Sequence, residues 1–354
     1  MATVTGRAVY LNEPVRFGVR LSRVISVSAS RTNVAPRYIN PLTGRSMEDE
    51  ILLTPYEKVD WNTIKDCALE AEKLGYDSVI FPDHPMYGKA RMDCMAILGA
   101  LAASTSKIKL GTMTTNTMRY LPSPALFIKQ IATLDYLSGG RIFPLGLGAG
   151  YLKEEYDAYG FPFENHIVRI QQLKETVEIM RRMFSEDRVT YEGKYFSIRD
   201  AVCEPKPVQN PFPICIGGTG KRVLEVAARY ADMVNLEMGP VYADEAHLVK
   251  ETENYLSFIE KHFKAAGRDW EKDIVKSWSI WFWIYENEKE RNEHAEAIKN
   301  MQPGSVLMGA PSEIIERFEK LVALGITYFT LRFEDLPSKR GLRLFADKVM
   351  PTFQ

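Results

Sequence analysis

The sequence predicts one (β/α)8 TIM barrel, class α/β, with insertions after its first and fourth strands. Three observations carry this. Apolar strand-like segments alternate with helical patterns at a pace that implies a parallel sheet with helices outside. Those segments number eight, beginning near residues 15, 77, 108, 141, 213, 232, 274 and 326. Glycine-rich and polar runs follow the strands, at the end where this fold builds its sites. At 354 residues the chain exceeds the roughly 250 of a plain barrel and leaves room for insertions. A doubly wound sheet is the competing arrangement.

In order, the first strand is Val15–Val19. After it comes a Ser-, Arg-, Asn- and Pro-rich insertion, 21–57, read as a lid because loops at this end are seldom idle. Ile64, Cys67, Ala68, Ala71 and Leu74 then recur at helical spacing, and Gly75 ends that helix before strand Asp77–Phe81. Helices near 93–105 and 122–137 flank strand Ile108–Met113 and lead to the strand at 141–147. Region 151–212 is a second insertion, with a helix over Glu164–Phe184 and a small hairpin turning at Glu192 and Gly193. Strand Pro213–Ile216, helix 220–230, strand Asp232–Leu236, a helix within 243–266, strand Ile274–Tyr285, helix Ser312–Leu324, strand Ile326–Phe333 and a closing helix complete a single domain over 1–354.

Composition removes several functions. Net charge is −1 without a long basic cluster, so nucleic acid is not an expected partner. Cys67, Cys94, Cys203 and Cys215 lack metal or scaffold spacing, which reads as reduced, buried thiols and no metal site. The amino terminus has no apolar signal core, and no segment approaches the roughly 18 apolar residues of a membrane span. A cytoplasmic protein acting on a small molecule, away from membranes, is the expectation.

The run Gly146–Gly160 follows an apolar strand. Gly146, Gly148, Ala149 and Gly150 read as a floor without side chains on which a flat ring could lie. Tyr151 stands where a dinucleotide fingerprint needs a further glycine, which demotes the nucleotide-fold reading without excluding it. The second strand ends in Asp83 and His84, an acid and an imidazole suited to proton exchange near neutral pH. The third ends in a polar run containing Met113, Thr114, Thr115 and Asn116, able to bond a heterocycle's edge. Gly217, Gly218, Thr219 and Gly220 open a helix and make an anion site suited to phosphate, though not a Walker motif. The acidic run Glu154, Glu155 and Asp157 reads as a solvated helix start, and the stretch Trp278–Trp283 as barrel core. No nucleophile–base triad is evident.

Taken together, Asp83-His84, Leu110–Asn116, Lys129–Arg141, Gly146–Gly160, Pro205–Pro213 and Gly217–Asp232 resemble the bacterial-luciferase-like barrel oxidoreductases. That family binds flavin mononucleotide (FMN) or the deazaflavin coenzyme F420. The resemblance runs from about Phe17 to the carboxyl terminus, and the spelling from Gly217 to Asp232 is most similar to the deazaflavin-using branch. It implies hydride transfer as the core chemistry. His84 is then the catalytic acid/base, and Phe17, Gly18, Asp83, the Met113–Asn116 run, Gly148–Gly150 and Gly217–Gly220 surround the cofactor. It implies a cis Met113–Thr114 peptide and a homodimer. With FMN in place of F420, it implies a monooxygenase fed by a separate flavin reductase. A non-catalytic flavin-binding relative and, last, a metal-dependent isomerase on the same barrel are the remaining alternatives. Where the sugar-phosphate dehydrogenases of this family carry a glutamate and a tryptophan, this chain has Tyr151 and Gly88, which speaks against glucose 6-phosphate.

Overall fold

The computed structural model describes residues 14–21, 26–27, 60–86, 90–218, 220–237, 245–292 and 306–353. Eight strands form the barrel: β1 (Arg16–Arg20), β2 (Ser78–Phe81), β3 (Lys109–Thr115), β4 (Ile142–Leu147), β5 (Ile214–Gly217), β6 (Met233–Glu237), β7 (Val275–Ile284) and β8 (Tyr328–Phe333). Each pairs in parallel with the next, and β8 pairs with β1 to close the ring. All eight lie where the apolar runs place them. Most of insertion 21–57 lies outside the described residues.

Helices α1 (Trp61–Lys73), α2 (Cys94–Ser104) and α3 (Pro124–Ser138) cover the first strands. Next come α4 (Lys153–Ala158), α5 (His166–Ser185), α6 (Lys221–Tyr230), α7 (Glu245–Ala265), α8 (Pro311–Ala323) and α9 (Arg340–Lys348). Helix starts follow local chemistry. Asp60 accepts from the Thr63 amide at 2.9 Å, and Asp93 accepts from Ala96 at the same distance, so each satisfies an otherwise orphaned donor. The stop of α3 is Gly139, at φ 71°, a left-handed conformation that favours glycine. The expected hairpin is present as Val189–Glu192 against Ser197–Ala201, antiparallel.

Three short strands are additional to the sequence reading: Ser26–Val27 and Ala90–Arg91, which pair antiparallel with each other, and Val306–Gly309. Val306–Gly309 pairs in parallel with Trp281–Ile284. On this side of β7, pairing with β6 stops at Ser279, so the backbone beyond it needs other partners, and Val306–Gly309 supplies them.

Side chains sort by strand parity into two cores. Ile80, Met113, Phe143, Cys215, Met233, Val275 and Tyr328 fill the barrel interior. The larger core, with Phe17, Trp278, Phe318 and Phe345, packs the barrel's outer face against the helices. At the amino-terminal end Asp77 draws several strands together. It accepts from the Lys109 ammonium and the Tyr328 hydroxyl, each at 2.7 Å, with Arg16 at 4.0 Å. All four cysteines are buried and unpaired, and burial pushes the Cys67 thiol up to about 11.

The Met113–Thr114 peptide is cis, as the resemblance implied. The β3–β4 register shifts on both sides of Thr112, and the two strands touch very closely there. A Cβ on Gly111 would stand 2.6 Å from the Pro144 carbonyl oxygen and 2.7 Å from its nitrogen, backbone atoms that cannot swing aside. Gly111→Ala should therefore destabilise the fold by about 1–3 kcal/mol, the usual scale of overpacking. Urea unfolding measures this, and a midpoint equal to that of the parent chain would contradict the tight contact.

Candidate active site

The carboxyl ends of β2, β3 and β4 bring together one hydrogen-bonded network. His84 follows β2 and is 17% exposed, and its Nδ1 lies 3.1 and 2.9 Å from the two carboxylate oxygens of Glu155, which is fully buried. Asn116 at the end of β3 donates its Nδ2 to the same carboxylate at 3.2 Å. The Asn116 Oδ1 in turn accepts from the Tyr156 hydroxyl at 2.6 Å, and Tyr156 also contacts the Thr117 hydroxyl. Burial raises the Tyr156 phenol, which keeps it protonated as a donor. Because a carboxylate only accepts, the proton of neutral His84 sits on Nδ1, leaving Nε2 as the accepting nitrogen.

Glu155 corrects the sequence reading. Glu154 and Asp157 are on the outer face of α4, but Glu155 and Tyr156 point inward with Leu152. The signal was present: residues 152, 155 and 156 stand at i, i+3 and i+4, the buried stripe of a helix with a carboxylate inside it.

Asp83 is 1% exposed, and its carboxylate binds the Arg119 guanidinium at 2.7 to 3.2 Å and the Asn116 amide at 3.3 Å. It thus ties the end of β2 to the turn after β3. Arg119 reaches on to Asp93 at 2.6 Å. Burial works to lower the Arg119 guanidinium, but the bonds to Asp83 and Asp93 outweigh it and hold it above its ordinary value.

The glycine floor is held in place by its neighbours. Tyr120 donates to the Gly148 carbonyl at 2.6 Å, and Arg169 on α5 donates to the Ala149 carbonyl at 3.0 Å while lying over the Phe163 ring. Partly exposed Thr114 sits between Gly148 and Gly217. A Cβ on Gly148 would be 2.8 Å from its hydroxyl, and one on Gly217 would strike its methyl. These glycines therefore admit a β3 side chain, a use the sequence did not reveal. Gly150, at φ 68°, would clash with the Tyr156 hydroxyl if it bore a Cβ.

At the next strand end, Gly218 has φ 141°, and a Cβ there would stand 2.9 Å from Val223. Gly220 caps α6 without a side-chain bond and borders open space. No side-chain bond from the cap therefore reaches the amides of the first turn, the groups through which helix starts bind anions. Thr219 lies outside the described residues.

Several expected residues do not join this rim with their side chains. Phe17 faces the helices and packs on Phe318, Phe329, Phe345 and Phe353, because on β1 it is the inward set Arg16 and Gly18 that faces the barrel. Gly18 makes room deep inside for the Ser78–Tyr328 hydroxyl pair. Met113 is buried in the interior core against Cys215, and the Thr115 hydroxyl is consumed by Thr112 at 2.8 Å. Tyr151 stands edge-on to His84, ring centroids 5.6 Å apart. Among the described residues no cluster could hold a metal ion, and no helix is long and apolar enough to cross a membrane.

With this geometry in view, the comparisons with known proteins are specific. Residues 46–300 match the family described as luciferase-like monooxygenase, and the chain belongs to this family of oxidoreductases. It is 26% identical over 322 residues to an F420-dependent glucose-6-phosphate dehydrogenase of Microbacterium testaceum, spanning 82% of this chain and 93% of that one. The enzyme of the same name from Intrasporangium calvum is 35% identical over 190 residues, 51% of this chain and 56% of that one. An FMNH(2)-dependent dimethylsulfone monooxygenase of Pseudomonas putida is 32% identical over 144 residues, 40% of this chain and 38% of that one. An F420-dependent secondary alcohol dehydrogenase, solved with an F420-acetone adduct, superposes with a TM-score of 0.70 at 20% identity, over 97% of this chain and 100% of that one. At that identity it establishes the barrel.

The Arg119 network has a titration signature. Burial raises the Asp93 carboxyl, but the Ala96 amide and Arg119 prevail and hold it below its ordinary value. A carboxyl lowered on folding stabilises the fold above its unfolded value, near 3.9, and loses that contribution as pH falls through the folded value. Asp93→Asn keeps a good helix cap but removes the charge. It should lower stability at pH 7 by less than about 1 kcal/mol, since the pair is half exposed. It should also flatten the loss of stability below about pH 4. Urea titrations across pH check this, and parallel acid limbs for the two chains would contradict it.

Proposed function

We propose that the protein transfers hydride between coenzyme F420 and a small organic substrate, with His84 moving the accompanying proton. The observation that carries this reading is the clasp of His84 Nδ1 by both oxygens of the buried Glu155, at the rim that also carries the glycine cradle. Similarity along most of the chain to dehydrogenases named for that coenzyme supports the choice of cofactor.

The residues present fit the group. The uncapped start of α6 behind Gly218 and Gly220 suits its phosphate, and Thr114, Ala149, Gly150 and Gly217, each partly exposed, suit one side of its ring. When bound, the deazaflavin supplies or takes up the hydride. The chain does the rest. Glu155 fixes the His84 tautomer, so that Nε2 takes the proton from a substrate hydroxyl during oxidation or returns it to a carbonyl oxygen during reduction. Arg169 and Tyr120 keep the floor from shifting. A cytoplasmic homodimer accompanies this reading.

Similarity to the FMNH(2)-dependent relative favours a second reading. In it the same cradle takes FMN and the enzyme is a monooxygenase served by a separate reductase. Equilibrium titration with each cofactor, followed by anaerobic turnover, separates the two. Tighter binding of F420 and oxygen-independent turnover support the first. Preference for FMN with substrate-dependent oxygen uptake supports the second.

His84→Ala should keep cofactor affinity within a few-fold and cut turnover about 10²–10⁴-fold, the scale of general acid–base assistance. Glu155→Gln should cut turnover while keeping cofactor affinity, because the His84 imidazole loses the acceptor that fixes its Nδ1. Unchanged turnover would make Glu155 merely structural. Gly220→Asp, at a position with an ordinary φ and open space, should abolish cofactor binding while the chain folds, because it sets a carboxylate at the helix start beside the phosphate. Unchanged affinity in that titration would move the phosphate elsewhere.

A further inference from the structure

The half of the barrel mouth facing away from this cradle has its own chemistry. On β7 the inward residues are Val275, Ser277, Ser279 and Trp281, by the same parity that puts Trp278, Ile280 and Phe282 in the outer core. Trp281 lies in register with Arg332 of β8, whose guanidinium sits over the indole 5.1 Å from its centroid. Unlike Trp278, which is fully buried, Trp281 is partly exposed. The stretch Trp278–Trp283 is thus core on one face and mouth wall on the other, which corrects its assignment to the core alone.

Directly below, the apolar filling of the barrel gives way to a polar layer. Asn235 on β6 has its Oδ1 3.0 Å from the Ser277 hydroxyl and 2.9 Å from that of Ser279, which also bonds Thr330. All four residues are at least nine-tenths buried. The Asn235 Nδ2 has no hydrogen bond among the described residues. Whichever way the amide is turned, two hydroxyls serve one of its ends and the other end is left over. That end is not among the buried polar atoms sealed from solvent, so a ligand's oxygen can reach it and complete the layer's hydrogen bonding.

We propose that this wall and floor are the substrate site, and that they select a flat, conjugated organic molecule bearing an oxygen function. Trp281 takes the ring, Arg332 favours negative charge beside it, and the Asn235 layer takes the inner polar end. The inference rests on the proposed function only in assigning the opposite half, at β3 to β5, to the cofactor. A sugar phosphate lacks the π-face that an indole wall rewards.

Calorimetric titration of the full chain, with and without F420, using 2-naphthoate, decanoate and glucose 6-phosphate as probes, tests it. Naphthoate should bind at least about 10-fold more tightly than the other two, a difference within reach of one aromatic contact plus one satisfied amide. Trp281→Leu should erase most of that margin without changing decanoate binding, Trp281→Phe should retain it, and Asn235→Leu should weaken naphthoate several-fold. Equal or tighter binding of decanoate or glucose 6-phosphate overturns the proposal, as does an unchanged naphthoate affinity in Trp281→Leu. Cofactor absorbance in the same samples keeps the two readings apart. If no F420 binds while naphthoate behaves as expected, the cofactor assignment fails and the substrate site stands.

Discussion

A buried carboxylate held by an imidazole and an amide organises this barrel's mouth. Glu155 has no contact with solvent, so its oxygens depend on the hydrogen bonds that His84 and Asn116 supply. That requirement fixes α4 against the ends of β2 and β3. It also explains the second tier, in which Asp83 and Arg119 lock the turn that carries Asn116, and Tyr156 orients its side-chain oxygen. The result is an imidazole whose Nδ1 is held by a buried carboxylate at the barrel's mouth.

The glycines serve this arrangement in two ways. Gly111 and Gly146 let β3 and β4 approach at backbone distance, and Gly148 and Gly217 admit the Thr114 side chain between neighbouring strand ends. Past that point Gly220 borders open space, whereas a Cβ on Gly218 would meet Val223. The glycines at the strand ends thus serve packing, and the uncapped start of α6 lies beyond them. The barrel's two halves differ in the same spirit, with backbone and small residues at β3 to β5 and large or polar side chains at β6 to β8.

All eight barrel strands were legible, because each is buried on both faces and reads as a continuous apolar run between turn signals. Which side chains enter the barrel was not, since that depends on parity against neighbours that one strand cannot reveal. Phe17 and Gly18 differ by one residue and face opposite cores. His84, Asp83 and Asn116 were visible as polar residues at strand ends, but their roles as hub, lock and orienter come from contacts 33 to 71 residues apart in sequence. Glu155 was hidden by its acidic neighbours, which dominate the local composition although only helical phase decides which carboxylate is buried. The short strand Val306–Gly309 exists because β7 outruns β6, a fact of register rather than of propensity.

The central claim is that Glu155 holds neutral His84 as the tautomer protonated on Nδ1. Nitrogen-15 NMR of the full chain labelled at histidine reads this directly, with the His84 signals assigned by their loss in His84→Gln. The account predicts a protonated, pyrrole-type Nδ1 and an unprotonated, pyridine-type Nε2 in the neutral form, and a change in this pattern in Glu155→Gln. A neutral His84 protonated on Nε2, or a pattern indifferent to Glu155→Gln, would contradict it.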